Sequence, residues 1–181
     1  MSGGTLVQAA PGEAEKAMAL IRSRVAWMDR RDIDQWNRSG YLDHYPLEFF
    51  RQEARLGRLY FLRDRAGEET ACAVLLEEDE RWPDDPPALY IHSLAGAVDR
   101  PGAGERMIRR CMELARVWGK EYVRLDCPMA NGPLNAYYEG LGFRLAGSVN
   151  EDWYVGNLRQ YRLCASRPRG ADRSEKSKER R

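Results

Sequence analysis

No apolar stretch in this 181-residue chain approaches the length needed to span a bilayer, which argues against a membrane-spanning helix. The start, Met1-Ser2-Gly3-Gly4, lacks the basic-then-apolar layout of a secretory leader. An excess of charge is also missing. With 29 Lys and Arg against 28 Asp and Glu, no overall field draws the chain to nucleic acid. The four cysteines, Cys72, Cys111, Cys127 and Cys164, fall singly inside apolar segments and form no metal-type pairs. They read as buried reduced thiols, and no Cys-His pair marks a nucleophile. The sequence contains no internal repeat. The resulting expectations are a cytoplasmic protein with no metal, no membrane association and no nucleic-acid partner.

What is present fits one domain of ordinary size with a substantial core. Thr5–Gln8 reads as a first strand. From Glu13 to Arg30, Ala17, Leu20, Ile21, Ala26, Trp27 and Met28 recur at roughly helical spacing. After the aromatic stretch Asp32–Trp36 and a break at Gly40, Pro46 is placed to start a second helix that stops at Gly57. Two antiparallel strands follow, Leu59–Arg63 and Ala71–Glu77, then a proline-rich loop around Trp82–Pro87. Leu89–Ala95 is an apolar strand. A helix runs from Gly104 to Trp118, with Met107, Ile108, Cys111, Leu114, Ala115 and Trp118 on its apolar face. A strand over Tyr122–Cys127, a helix over Pro133–Leu141, and strands at Arg144–Val149 and Asn157–Cys164 complete the order. This order predicts an α/β, or mixed α+β, single domain over residues 1–165 built on one mixed sheet. The charged remainder, 166–181, is too poor in apolar residues to fold and is expected to be a disordered tail.

The strand Leu89–Ala95 feeds Gly102-Ala103-Gly104, which opens the amphipathic helix. Glycines let a ligand approach the backbone, and the free N–H groups of a helix start attract phosphate oxygens. A dinucleotide site is one reading, with Asp126 at the end of the next strand as a ribose-binding carboxylate. Against it, Met107 stands where the fingerprint has its third glycine, and the strand-to-glycine loop is long for a tight turn.

The next segment favours another reading. Leu125-Asp126-Cys127 leads to Asn131, and then to Tyr137-Tyr138-Glu139-Gly140-Leu141-Gly142-Phe143. The spacing of Asn131, Tyr138 and Gly142-Phe143, together with Leu89–Ala95 and Gly102-x-Gly104, resembles the GNAT superfamily of N-acetyltransferases. The resemblance runs from about Leu89 to Gly147 and is looser before it.

The resemblance implies a splayed sheet that admits the pantetheine arm of acetyl-CoA between strands Leu89–Ala95 and Tyr122–Cys127. Backbone near Leu94, Ala95 and Gly96 would bond the arm, and amides from Arg100 through Gly102, Ala103 and Gly104 to Glu105 would hold the pyrophosphate. Asn131 would contact the arm, and Tyr138 would protonate the departing sulfur. His92 occupies the strand position where many relatives place a catalytic glutamate. Asp34, Gln35 and Trp36 lie where relatives build an acceptor pocket, and Asp126 would bind an amine.

The chemistry is consistent with these roles. An amine attacking a thioester must lose a proton, the leaving sulfur gains from a donor, and the carbonyl needs an N–H for its developing charge. Structural roles fit several of the same residues: a helix cap for Asn131, a strand histidine for His92, a strand-end hydrogen bond for Asp126, and a solvated acid beside a packed indole for Asp34 and Trp36. The phosphate loop Asp99–Gly104 is shorter than in many relatives and carries Asp99 where a basic or amide residue is usual. The sequence-level reading is direct acetyl transfer from acetyl-CoA to a small-molecule or peptide amine by a monomer or homodimer. A non-catalytic acyl-CoA-binding module is the alternative.

Overall fold

The computed structural model describes residues 4–163, so the expected tail, 166–181, and Cys164 lie outside the described residues. Strands β1 (Thr5–Gln8), β2 (Leu59–Arg63), β3 (Glu69–Leu76), β4 (Ala88–Gly96), β5 (Tyr122–Pro128), β6 (Arg144–Glu151) and β7 (Tyr154–Arg162) alternate with helices α1 (Ala14–Arg30), α2 (Tyr41–His44), α3 (Leu47–Arg55), α4 (Ala103–Val117) and α5 (Gly132–Gly140). The strands form one sheet in the order β1-β2-β3-β4-β5-β7-β6. Every neighbouring pair is antiparallel except β4 and β5, which α4 connects as a parallel crossover.

Both faces of the sheet are covered. Helices α4 and α5 bury Met107, Ile108, Cys111 and Tyr138 against Leu89, Ile91, Val123 and Leu125. Helices α1 to α3 bury Ile21, Tyr41 and Phe50 against Leu59, Phe61 and Val74 on the opposite face. A smaller cluster of Trp82, Tyr90 and Leu158 lies under the β3–β4 loop. Each large apolar side chain placed in these layers contributes about 2 kcal/mol of transfer free energy.

The parallel pair is the feature that positions the site. β4 and β5 are paired only at Ala88↔Tyr122, Leu89↔Val123 and Tyr90↔Arg124. Beyond those residues β4 stays with β3 as far as Ala71↔Gly96, while β5 stays with β7 as far as Pro128↔Gly156, and the sheet splits into a V. A bulge bends β4 at the split. The register shifts between Cys72↔Ala95 and Val74↔His92, and Ser93 adopts φ +53°. A non-glycine residue there carries about 1 kcal/mol of strain, and the Tyr41 hydroxyl fixes it by donating to Ser93 Oγ at 2.6 Å.

Several boundaries differ from the sequence expectation. Pro46 caps α3 rather than entering its first turn, and a short helix, α2, follows Gly40 instead of a simple break. Trp118 caps α4 and is partly exposed, because the helix ends at Val117 before the apolar stripe reaches it. β7 begins at Tyr154 rather than Asn157, because a tight turn at Asp152-Trp153 pairs Glu151 with Tyr154.

Candidate active site

The V opens into a cavity of about 620 Å³ that passes from the α4–α5 face of the sheet to the α1–α2 face. On the first face, β4 ends against the start of α4 so closely that a Cβ on Gly96 would meet Gly104 N at 2.9 Å. Gly102 caps α4 at φ +76°. The N–H groups of Gly102, Gly104 and Glu105 have no partner among the described residues, and all three residues line the cavity. They form an anion-binding helix start. The Glu105 carboxylate turns along the helix to Arg109 at 2.6 Å. Arg24, from α1, lines the same end and donates to Gly96 O at 2.5 Å.

Tyr138 sits on α5 beside Phe143, with ring centroids 5.9 Å apart, and also lines the cavity. Burial raises its phenol well above the ordinary tyrosine range, so the hydroxyl stays protonated. It makes no hydrogen bond to any described residue. A protonated donor therefore faces the cavity with its hydrogen uncommitted.

On the opposite face, the β3–β4 loop supplies the polar groups. The His92 ring binds the Asp79 carboxylate through Nε2 at 2.9 Å. Burial disfavours ionised Asp79, but His92 and the Arg81 amide outweigh it and hold the carboxyl below its usual range. Across the V, Asp126 accepts from Arg81 Nη1 at 3.3 Å and from the Tyr154 hydroxyl. Arg81 also makes a two-pronged bond to Glu151, at 2.8 and 3.0 Å. Burial opposes the Arg81 charge, and the carboxylates around it more than compensate.

Aromatic rings complete this half. Trp36 stacks on Tyr41 at 4.4 Å, Tyr41 contacts Tyr45 at 4.9 Å, and Trp153 packs against Tyr154 at 5.5 Å.

Among the residues singled out in the sequence, His92, Leu94, Gly96, Gly102, Gly104, Glu105 and Tyr138 line this one cavity, and so do Asp34, Trp36 and Asp126. Four others do not. Ala95 is buried against the α1 side and Ala103 in the α4 layer, while Arg100 is exposed and points toward Asp99 at 3.9 Å. Asn131 caps α5 through Leu134 N at 3.1 Å and donates to Gln35 at 3.2 Å. The residues that sequence reasoning missed are Arg24, Tyr41, Asp79, Arg81, Ser93 and Tyr154. Arg24 and Ser93 stand in elements the sequence predicts, α1 and β4, but as polar residues outside the apolar pattern, while Tyr41, Asp79, Arg81 and Tyr154 come from the aromatic segment, an irregular loop and a hairpin turn that carry no periodic signal.

The acetyltransferase (GNAT) family model matches residues 24–143. The chain belongs to this family. As a GNAT acetyltransferase it is an acyltransferase, and acetyl-CoA is its co-substrate. A GNAT structure from Listeria monocytogenes 4b F2365 shares the fold with TM-score 0.73 and 22% identity, covering 90% of this chain and 98% of that one. One from Streptococcus agalactiae 2603 gives 0.69 and 21%, with 89% and 96% covered. The structure of yncA from Salmonella typhimurium, solved with its cofactor acetyl-CoA, gives 0.58 and 15%, with 94% and 100% covered. Among curated proteins, none matches the chain by sequence.

The residues of this GNAT domain fit the co-substrate. The start of α4 carries free amides, the edge of β4 beyond Tyr90 is unpaired, and the V is open between them, features that suit a pyrophosphate and an amide-bearing arm. The dinucleotide reading falls with the family assignment. Among the described residues no cluster of His, Cys, Asp or Glu is arranged to hold a metal, and no helix is long and apolar enough to cross a membrane.

Proposed function

We propose that this enzyme transfers the acetyl group directly to a primary amine, with Tyr138 as proton donor and the His92–Asp79 pair as proton acceptor. The carrying observation is their placement: Tyr138 and His92 line one cavity from opposite faces of the split sheet. Acetyl-CoA supplies the activated acyl thioester. His92 takes a proton from the amine nitrogen, and the Asp79 carboxylate stabilises the resulting imidazolium. A backbone N–H on the unpaired edge of β4 donates to the carbonyl oxygen as charge develops there. Tyr138 delivers its proton to the sulfur. In balance, an N–C bond replaces the S–C bond, and one proton passes from nitrogen to sulfur.

A covalent enzyme intermediate finds no support in the thiols. Burial pushes Cys127 up to about 11, and Cys72 and Cys111 up to about 12. Such thiols are almost wholly protonated at neutral pH and therefore poor nucleophiles. Buried reduced cysteines also suit a reducing compartment, which supports the cytoplasm as the site of action.

The test is release of the CoA thiol with a panel of primary amines, in wild type and in Tyr138→Phe. A fall in kcat of about 10²- to 10³-fold, with acetyl-CoA affinity retained, is expected for loss of a general acid. Equal turnover by both proteins would remove Tyr138 from the reaction. Acetyl-CoA binding by wild type without acetylation of any amine would sink the transfer reading.

A further inference from the structure

The acceptor half of the cavity carries its own chemical signature. Rings follow one another without a break from Trp36 through Tyr41 and Tyr45 to Trp153 and Tyr154, with centroids 4.4 to 6.0 Å apart. At the foot of this wall lies the Asp126 carboxylate, whose Arg81 partner is shared with Glu151. One guanidinium thus answers two carboxylates, leaving one negative charge uncompensated in a largely apolar setting. Asp34 is a second acid, but it is exposed at the rim, where water and salt screen it. The Gln35–Asn131 hydrogen bond ties the segment bearing Trp36 to the start of α5, on the other side of the opening.

Resting on the transfer reading above, we infer that the acceptor is a small arylalkylamine, a single ammonium on a short arm attached to a planar ring. The aromatic wall takes the ring by stacking, and Asp126 draws the ammonium to the split in the sheet, where it gives one proton to solvent and, as the neutral amine, gives a second to His92 during attack. A polyamine needs a buried carboxylate for each of its charges, and in this half Asp126 is the one carboxylate that lines the cavity away from the exposed rim. An extended peptide needs a groove running past the split, and the Gln35–Asn131 tie crosses that course.

With saturating acetyl-CoA, kcat/KM is to be compared for phenethylamine, tryptamine, butylamine, spermidine and a pentapeptide with a free N-terminus. The two arylalkylamines should exceed the others by at least about 10-fold, within the range that apolar pocket contacts provide. Trp36→Ala should raise KM for phenethylamine and leave that for butylamine unchanged, whereas Asp126→Asn should raise both. Preference for spermidine or the peptide, or an equal effect of Trp36→Ala on both amines, would overturn the acceptor class while leaving acetyl transfer intact. Calorimetry with acetyl-CoA separates this from failure of the transfer reading, in which the co-substrate binds and no amine is acetylated.

A second, independent observation concerns the phosphate end. The short loop before α4 contributes Asp99 and, in the first turn of the helix, Glu105, while Arg100 points to Asp99 and Arg106 donates to Pro101 O. Arg24 lies on α1, where its guanidinium bonds Gly96 O, rests 4.9 Å from the Trp27 ring, and has no carboxylate partner among the described residues. Burial lowers its pKa, the mark of a cation without a counter-ion. The geometry points to Arg24 as the pyrophosphate-binding cation that this loop lacks, reaching in from the first helix beside the free amides of Gly102 and Gly104. Its guanidinium spends one N–H on Gly96 and keeps others to donate.

The test is calorimetric binding of CoA and of 3′-dephospho-CoA to wild type, Arg24→Gln and Arg24→Lys at several salt concentrations. Arg24→Gln should weaken both ligands by about 10- to 100-fold, as for a lost charged hydrogen bond, with a shallower salt dependence. Arg24→Lys should recover part of the loss. An unchanged Kd would overturn the assignment, as would a loss confined to CoA, which would place Arg24 at the 3′-phosphate. A loss with unaltered salt dependence would mean that Arg24 only ties α1 to β4.

Discussion

Tyr154 lies across Gly156, so close that a Cβ on residue 156 would fall 2.6 Å from the Tyr154 hydroxyl. That pose brings the hydroxyl to Asp126 and sets one wall of the acceptor half. Gly156 itself sits in the ladder between Pro128 and Val149, so its backbone is held from both sides. A side chain there must displace the tyrosine ring and not the strand.

Gly156→Ala should therefore uncouple activity from stability. The ring must give up its bond to Asp126, and β7 gains from losing a flexible glycine, so the two partly offset and stability in urea unfolding should fall by only about 1 kcal/mol. Asp126 loses its phenolic donor, and kcat/KM for the amine should fall while acetyl-CoA affinity holds. A large loss of stability with unchanged kinetics would show that Tyr154 has no part in the site.

Arg124 holds the loop that carries Asp79 and Arg81. Its guanidinium is buried, lies 4.1 Å from the Trp82 ring, and donates to Tyr90, Asp84 and Gln160 at 3.0 to 3.2 Å. Its Nε has no partner among the described residues. Arg124→Ala removes the stacking and leaves the buried Tyr90 hydroxyl and the half-buried Gln160 without this donor, while the exposed Asp84 turns to water, at about 2 kcal/mol. Denaturant unfolding should register that loss. Stability within about 0.5 kcal/mol of wild type would mean that the loop is fixed by other contacts.

Much of this frame is legible in the sequence. Helical spacing marks α1 and α4, because a helix on one face of a sheet must keep a single apolar stripe, and glycine marks where α4 starts and α5 stops. The family's Asn-to-Tyr spacing leads to α5. The acceptor half is harder to read. Asp79 and Arg81 stand in a loop whose prolines announce only irregularity, and their partners His92, Asp126 and Glu151 are distant in sequence. Tyr154 falls between the two predicted C-terminal strands, because Gly156 interrupts the alternation at the true start of β7. Pairings of this kind depend on how the sheet folds back, and periodicity carries no record of that.

Asn131 shows how one motif residue can serve two purposes. Its side chain accepts from Leu134 N and donates to Gln35, and it does not line the cavity. Asn131→Ala should cost about 1 kcal/mol, the usual loss for a helix cap. Asn131→Ser keeps the capping oxygen and drops the Gln35 contact, so it should restore stability. If acetyl-CoA affinity falls in both variants while stability returns in the second, the residue also contacts the co-substrate arm.

Asp79 gives a prediction in pH. Its folded-state pKa lies below the ordinary value: burial alone would raise it, and the His92 bond, the His92 charge and the Arg81 amide together outweigh burial. A depressed carboxyl stabilises the fold above its unfolded-state pKa, near 4. That contribution is lost as the pH falls through the lower, folded value. Asp79→Asn should thus be less stable than wild type at neutral pH, and the gap should close as the pH drops below about 4. The same variant keeps a polar side chain beside His92 but cannot stabilise an imidazolium, so kcat should fall with KM little changed. A stability gap that is flat with pH would mean that Asp79 acts through a neutral hydrogen bond, and His92 would then have to act as base without a charged partner.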